Sequence, residues 1–429
     1  LSNVIAPGFN SEEQTTLILL SRLMLLSPLL LGLSSIVGSV TQIYRRFFLY
    51  ALAPVLYNVG IIIGILFLYP LFGVSGLAMG VVMGAIGHVL IQLPALSAEH
   101  IRLSWRFPQG HSWRKIRTIV SISIPRTITL AAHQLALAGL FALASLLGAG
   151  AIAIFNLAWN LQSVPLALFG VSYSVAAFPT LSRLAARGER ENFILSIRNT
   201  ARYLIFWSLP TAALVIVLRA HLVRVIYGAG EFDWVATRLT AAALALFAIS
   251  LVAQNLVLLF VRGYYAVGKT KTPLIVNTLS SLGIIALAPM LLSLFRTVPS
   301  FAHLIEQMLR VDALVGTDIL MIPLSFTIGL IVNLCILWVL FERSQGPLLR
   351  PLLMSILQSL VGAILIGTTT YYALSAYLGF FDTHTASGLF GQALSAGITG
   401  ICAGIALLIL MDNQELRALV TSARQKIAR

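Results

Sequence analysis

The sequence predicts an all-α polytopic membrane protein, and three observations carry that prediction. Apolar side chains make up 59% of the 429 residues against 10% charged, too few charges to cover a water-facing surface. Apolar runs of about 20 residues, enough to cross a hydrocarbon core of ~30 Å, recur from one end to the other. The basic residues gather in alternate loops between those runs.

In chain order the eleven candidate spans are 15–42, 47–69, 74–97, 116–147, 151–180, 199–226, 237–266, 272–296, 317–341, 352–378 and 388–411. Short links such as "YPLFGVSG" at 69–76 and "GAGA" at 148–151 make their neighbours antiparallel. The stretch 300–316 is of another kind. Phe301, Leu304, Ile305, Met308 and Leu309 share one helical face, so it reads either as a helix lying on the membrane surface or as a loop helix packed on protein.

One set of loops holds Arg45, Arg46, Arg102–Arg117, Arg183–Arg202, Lys269, Lys271, Arg343 and Arg350, with Arg417–Arg429 at the end of the chain. The opposite set holds Glu12, Glu13, Glu231, Asp233, Glu306, Asp312, Asp318 and Asp382. The positive-inside rule makes the basic side cytoplasmic, with the C-terminus inside. The net charge of +14 then needs no nucleic acid; topology and anionic lipid account for it. Cys335 and Cys402 both fall inside apolar runs, which predicts small buried residues rather than a disulfide framework.

Two segments repeat in the same orientation. "NVIAPGFNSEEQTTL" at 3–17 is echoed by "RVIYGAGEFDWVATRL" at 224–239, and "PVLYNVGIIIG" at 54–64 by "PLIVNTLSSLGII" at 273–285. Pro54 pairs with Pro273 and Asn58 with Asn277 at one constant offset. Such a parallel repeat has its axis along the membrane normal. Three spans precede the second copy and none the first, so repeat symmetry predicts about three helices, roughly 110 residues, before Leu1.

Signals of catalysis are poor. The chain has no Gly-x-Ser-x-Gly elbow, His-Glu-x-x-His pair, phosphate-binding Gly-rich loop or Cys-x-x-Cys pair, and its seven histidines are scattered. The expectation is a protein that is not an enzyme and needs no cofactor or metal. Polar groups inside spans are the informative residues, because burying them away from water is costly without a partner or a wet cavity. Arg126 follows Pro125 well inside a span, with His133 seven residues on and Gln134 beside it. Arg126 either faces a wet cavity or reaches back to the inner surface, while His133 reads as an interhelical hydrogen-bonding group. Asn156, Asn160 and Ser163 lie on one face at i, i+4 and i+7, as a cavity wall or as glue between helices. Arg22, near the outer end of its span, could attract an anion or reach headgroups. Gln254, Asn255, Asn58 and Asn277 are weaker candidates, read as helix–helix hydrogen-bonding groups.

Taken together, "VIAPGF", "APVLYNVGIIIG", "IPRTITLAAHQ", "NLAWNLQSVPLALFGVSYSVAAFPTLSRLA", "RVIYGAGEFDWVAT" and "RGYYAVGKTKTP" resemble bacterial lipid II flippases of the MviN/MurJ type. These belong to the multidrug/oligosaccharidyl-lipid/polysaccharide exporter superfamily. The resemblance implies a two-lobed bundle of six-helix repeats around a central cavity, plus two C-terminal helices forming a groove for a lipid tail. The family has fourteen spans, of which about eleven would be present. Residues 1–115 would be what remains of the N-terminal lobe and 116–345 the C-terminal lobe. Residues 346–429 would be the two extra helices and a basic tail. Many members carry an Asp-Arg pair where this chain has Trp159 and Asn160.

The implied function is outward movement of undecaprenyl-pyrophosphate-linked peptidoglycan precursor across the bacterial inner membrane by alternating access. A single chain among membrane lipids would suffice. Arg126 and Arg22 would hold pyrophosphate, and Asn156, Asn160 and Gln134 would contact the rest of the cargo. Competing readings are a polysaccharide-repeat flippase, a drug/cation antiporter, a membrane glycosyltransferase and a non-transporting scaffold. The antiporter wants an acidic residue in the bundle, and the glycosyltransferase paired acids on a loop. Neither is evident. The Trp159/Asn160 departure is the feature that favours a scaffold.

Overall fold

A computed structural model describes residues 6–44, 46–94, 111–148, 150–228, 232–312 and 314–427; some side chains within these, Arg126 and His133 among them, lie outside the description. Every regular element among the described residues is helical, as the composition predicts. The chain divides into two compact units, Leu1–Thr118 and Ile119–Arg429.

The first unit holds α1 (Ser11–Met24), α2 (Leu26–Ile43), α3 (Phe47–Ile63), the short α4 (Tyr69–Phe72) and α5 (Val74–Leu90). Asn10 starts α1 with a capping box: its side chain accepts from the Glu12 and Glu13 N–H groups, and the Glu13 carboxylate accepts from the Asn10 backbone N–H. Helices α3 and α5 meet through glycines. A Cβ at Gly60 would lie 2.3 Å from the Gly84 Cα, and one at Gly80 would lie 2.5 Å from the Gly64 Cα. Backbones approach this closely only where side chains are absent, the usual solution for helices in lipid. Between α2 and α5, Ser34 Oγ lies 2.7 Å from His88 Nδ1 and accepts from Gln92 Nε2 at 2.6 Å.

The second unit holds α6 (His111–Ser145) from Ile119 on, then α7 (Ala151–Pro165), α8 (Ser172–Ala186), α9 (Arg190–Tyr227), α10 (Trp234–Ile249) and α11 (Leu251–Ala266). It continues with α12 (Lys271–Thr297), α13 (Pro299–Leu309), α14 (Met321–Gln345), α15 (Leu349–Ala376), α16 (Ala386–Leu410) and α17 (Gln414–Ile427). Helix α10 is buried all round from Leu239 to Ala248, and its run of alanines lets neighbours close on every side. It bends by 44° into α11 at Ser250, whose hydroxyl donates back to the Phe247 carbonyl at 2.8 Å. Pro165 ends α7 without an N–H for the carbonyl four residues back, and the wide turn Leu166–Val171 follows before α8.

Among the described residues, eight helical stretches are long and apolar enough to cross a membrane, nine if the bent pair α10–α11 counts as one. The other two expected spans fall on α5 and α6. At 17 residues α5 reaches about 26 Å, under the ~30 Å of a hydrocarbon core. Helix α6 is 35 residues long, and Gln134–Ser145 is its apolar stretch among the residues whose side chains are described.

Two expectations are revised. Cys335 and Cys402 are exposed on their helices rather than buried; a span in lipid shows apolar residues on its outer face too, so hydropathy does not distinguish that face from the core. The expected face of 300–316 is split. In α13, Phe301, Ala302, Ile305 and Leu309 pack on the core of the unit, while Leu304 and Met308 remain exposed. The helix is thus packed on protein and still presents two large apolar side chains outward. Its C-terminal end attracts arginines, as the negative end of a helix dipole should. Arg219 Nη2 donates to the Leu309 carbonyl at 3.0 Å, and Arg238 donates to that of Arg310.

Candidate functional site

Along α7, Phe155, Ala158 and Gln162 are buried, whereas Asn156 and Asn160 are exposed. The amide stripe therefore points away from the core of its unit. Ser163, the third member, turns its hydroxyl back to the Asn160 carbonyl at 2.7 Å, which withdraws one donor from the stripe. Gln134 is exposed on α6, and Arg22 is exposed in the last turn of α1, in the other unit. Arg126 falls on α6, one residue after Pro125, but its side chain lies outside the described residues, as does that of His133. The structure thus brings Asn156 and Asn160 together on one face.

Trp159 sits between those asparagines in sequence and turns inward. It packs edge-on against Phe326 and Phe247, with ring centroids 5.0 and 5.5 Å apart, and stacks on Phe155 at 6.3 Å. Trp159 also forms part of the wall of a cavity of about 600 Å3 inside the unit, between α7, α8, α11, α12 and α14. Much of the wall is apolar, with Leu258, Phe326 and Leu330 among its members. Arg262, Tyr265, Asn277 and Asn333 make a polar portion.

Sequence reasoning missed Arg262. It was visible as an arginine at the end of the apolar run "LVLLFV", four residues before α11 ends. Nothing in the sequence shows which way it faces. The weaker amide candidates behave largely as expected. Asn333 Nδ2 donates to Asn277 Oδ1 at 3.1 Å, Asn255 Nδ2 to Ser208 Oγ at 2.6 Å, and Gln254 Nε2 to Gln162 Oε1 at 2.9 Å. All three bonds join different helices. Asn58 is exposed on α3. Gly170 shows how tightly this region closes, since a Cβ there would fall 2.1 Å from Asn255 Oδ1. No group of His, Cys, Asp or Glu able to hold a metal occurs among the described residues.

Long apolar helices in this number define a multi-pass membrane protein. The family model described as lipid II flippase MurJ matches residues 1–390, and the chain belongs to that family. It is 28% identical over 275 residues to the lipid II flippase MurJ of Burkholderia cenocepacia, covering 63% of this chain and 53% of that one. To the probable lipid II flippase MurJ of Thermotoga maritima it is 25% identical over 370 residues, covering 80% and 74%. The chain spans about half the length of the first relatives it matches. A solved structure titled lipid II flippase MurJ, inward closed conformation, shares the fold. Its TM-score is 0.67 at 21% identity, over 97% of this chain and 78% of that one.

Proposed function

We propose that this protein moves lipid-linked peptidoglycan precursor, lipid II, from the inner to the outer leaflet of the bacterial inner membrane by alternating access. It acts as a transporter rather than an enzyme. The family match over residues 1–390 carries the reading, and the outward-facing amides of α7 supply polar groups for a sugar–peptide headgroup. Arg126 is assigned to the pyrophosphate, because a bare phosphate dianion in hydrocarbon is prohibitively unfavourable without fixed positive charge. Arg126→Ala is expected to abolish complementation of a flippase-depleted strain at normal membrane abundance. Arg126→Lys keeps the charge but loses the planar fork, and retains part of the function. Asn160→Ala does less harm, since one neutral hydrogen bond contributes about 0.5–1.5 kcal/mol. Full complementation by Arg126→Ala would remove that residue from the site.

The orientation proposed is the one set by charge, with the basic loops and C-terminus cytoplasmic. Met308 is 70% exposed and the Arg187 side chain 67%, so both accept a cysteine probe. Because Cys335 and Cys402 are exposed, both are first replaced by serine. A membrane-impermeant thiol reagent added outside should label Met308→Cys and spare Arg187→Cys. The reverse pattern inverts the topology.

A further inference from the structure

We infer that a second cavity, where α9 and α15 end and α10 and α16 begin, is a binding site for a water-borne aromatic carboxylate, with Arg224 as its cation. The inference goes beyond the flippase reading and rests on binding alone, so it can fail while that reading stands. The cavity measures about 530 Å3, within the roughly 300–1,000 Å3 usual for small-molecule sites. It shares no wall residue with the cavity around Trp159. Helix α9 ends at Tyr227 and α15 at Ala376, while α10 begins at Trp234 and α16 at Ala386. The site thus lies at one end of the bundle, where apolar spans stop and the chain turns, and a ligand reaches it from water.

Its polar wall is fixed from inside. Gln392 is 2% exposed, and its Nε2 donates to the Leu374 carbonyl at 2.8 Å. A carbonyl only accepts, so the amide keeps this orientation, and its Oε1 faces His221 Nε2 at 3.2 Å. That oxygen also only accepts, so His221 carries a hydrogen on Nε2. Arg224 follows His221 by three residues on α9, on the same helical face, and all three residues line the cavity. Among the described residues no carboxylate pairs with Arg224, and none belongs to the wall. The nearest acids in sequence, Asp233 and Asp382, each turn an oxygen to a backbone N–H, of Ala236 and His384.

Three features of this wall specify the ligand. A single guanidinium fork matches the two coplanar oxygens of a monoanionic carboxylate. Leu374, Leu378 and Leu389 offer apolar surface to the body that follows. Trp234, 61% exposed at the start of α10, adds an indole face or edge, which favours an aromatic ring in offset or edge-on contact. An amide of the same shape supplies no charge. A small anion such as acetate supplies the charge and leaves the leucines and the indole without a partner.

The test uses the full chain in nanodiscs of phosphatidylcholine, which carries no net charge, with 3-phenylpropanoate as probe in equilibrium dialysis. 3-Phenylpropanamide, 3-phenylpropylammonium and acetate serve as comparisons. The probe should bind saturably and at least about tenfold tighter than each of them. Arg224→Gln should weaken it by about tenfold or more, and Arg224→Lys by less. Ser375→Trp, introduced from an exposed position on the wall, fills the cavity with Arg224 intact and should weaken binding as strongly. Absence of saturable binding, equal affinity for the amide or the ammonium, or wild-type affinity in a folded Arg224→Gln or Ser375→Trp variant overturns the site. Equal affinity for acetate overturns the aromatic class. Loss of probe binding when phosphatidylglycerol replaces half of the phosphatidylcholine would give the cavity to a lipid headgroup and overturn the soluble ligand.

Discussion

Gly84→Leu is expected to leave almost no folded protein in the membrane, and Gly84→Ala to lower stability measurably. The reason lies in the contact between α3 and α5. A Cβ at Gly84 would sit 2.3 Å from the Tyr57 carbonyl oxygen, and that oxygen belongs to backbone, which cannot swing aside. Opposite it, a Cβ at Gly60 would fall 2.3 Å from the Gly84 nitrogen and Cα. Any added carbon must push the helices apart along their length, and that loosens the Gly64–Gly80 approach as well. Overpacking by single carbons typically costs about 1–3 kcal/mol. Without a hydrophobic drive between helices in lipid, close packing is a main source of association, so little is left to offset the loss. Gly32→Ala is the control, because a Cβ at Gly32 meets nothing within 4 Å. Its cost should stay within about 0.5 kcal/mol, the range of substitutions that touch nothing. Detergent-solubilised variants, unfolded by heat or denaturant, give the comparison. Equal stability of Gly84→Ala and Gly32→Ala would mean that the glycine contact does not hold the unit together.

The sequence made the helices legible because lipid imposes a simple rule: long apolar runs must close their own backbone hydrogen bonds. It left the facing of each helix illegible for a related reason. In water an apolar stripe marks the buried side, but in lipid both sides are apolar. Cys335 and Cys402 therefore read as buried and are exposed. Gln254 and Asn255 are neighbours in sequence yet bond to different helices, Gln254 to Gln162 and Asn255 to Ser208. Polar periodicity did better. The i, i+4 spacing of Asn156 and Asn160 puts them on one helical face, and both are exposed there. A lone residue has no period. Arg262 could be found only once α11, α12 and α14 were seen to enclose a cavity beside it.

Arg202→Ala is expected to loosen the C-terminal helix α17 from the bundle more than Glu415→Gln does. Glu415 is 3% exposed by side chain and Arg202 25%, with Arg202 Nε donating to Glu415 Oε1 at 2.7 Å. The Ser355 hydroxyl donates to the same oxygen, and Arg202 Nη2 reaches Gln414 Oε1 at 2.7 Å. Beside them, Asn413 Nδ2 donates to Gln358 Oε1 at 2.9 Å, so α9, α15 and the start of α17 form one knot. Removing Arg202 strands a buried carboxylate, and breaking a buried pair from one side costs about 3–5 kcal/mol. The partial exposure of Arg202 places this pair toward the lower figure. Glu415→Gln removes the charge along with the pairing, leaves the more exposed partner to water, and should cost less. Burial alone would push the Glu415 carboxyl up. Hydrogen bonds from Ser355 and its own backbone N–H, with the bond and charge of Arg202, more than reverse that and hold it below the ordinary value of 4.5. A depressed carboxylate contributes its stabilisation in full above the unfolded value and loses it as pH falls through the lower folded value. Docking of α17 should therefore be constant from neutrality to about pH 5 and weaken only below about 4.5. Limited proteolysis after Arg417 across a pH series reads the docking directly. A wild-type profile that weakens between pH 7 and 5, or a Glu415→Gln chain as loose as Arg202→Ala, would show that this ion pair does not fasten the tail.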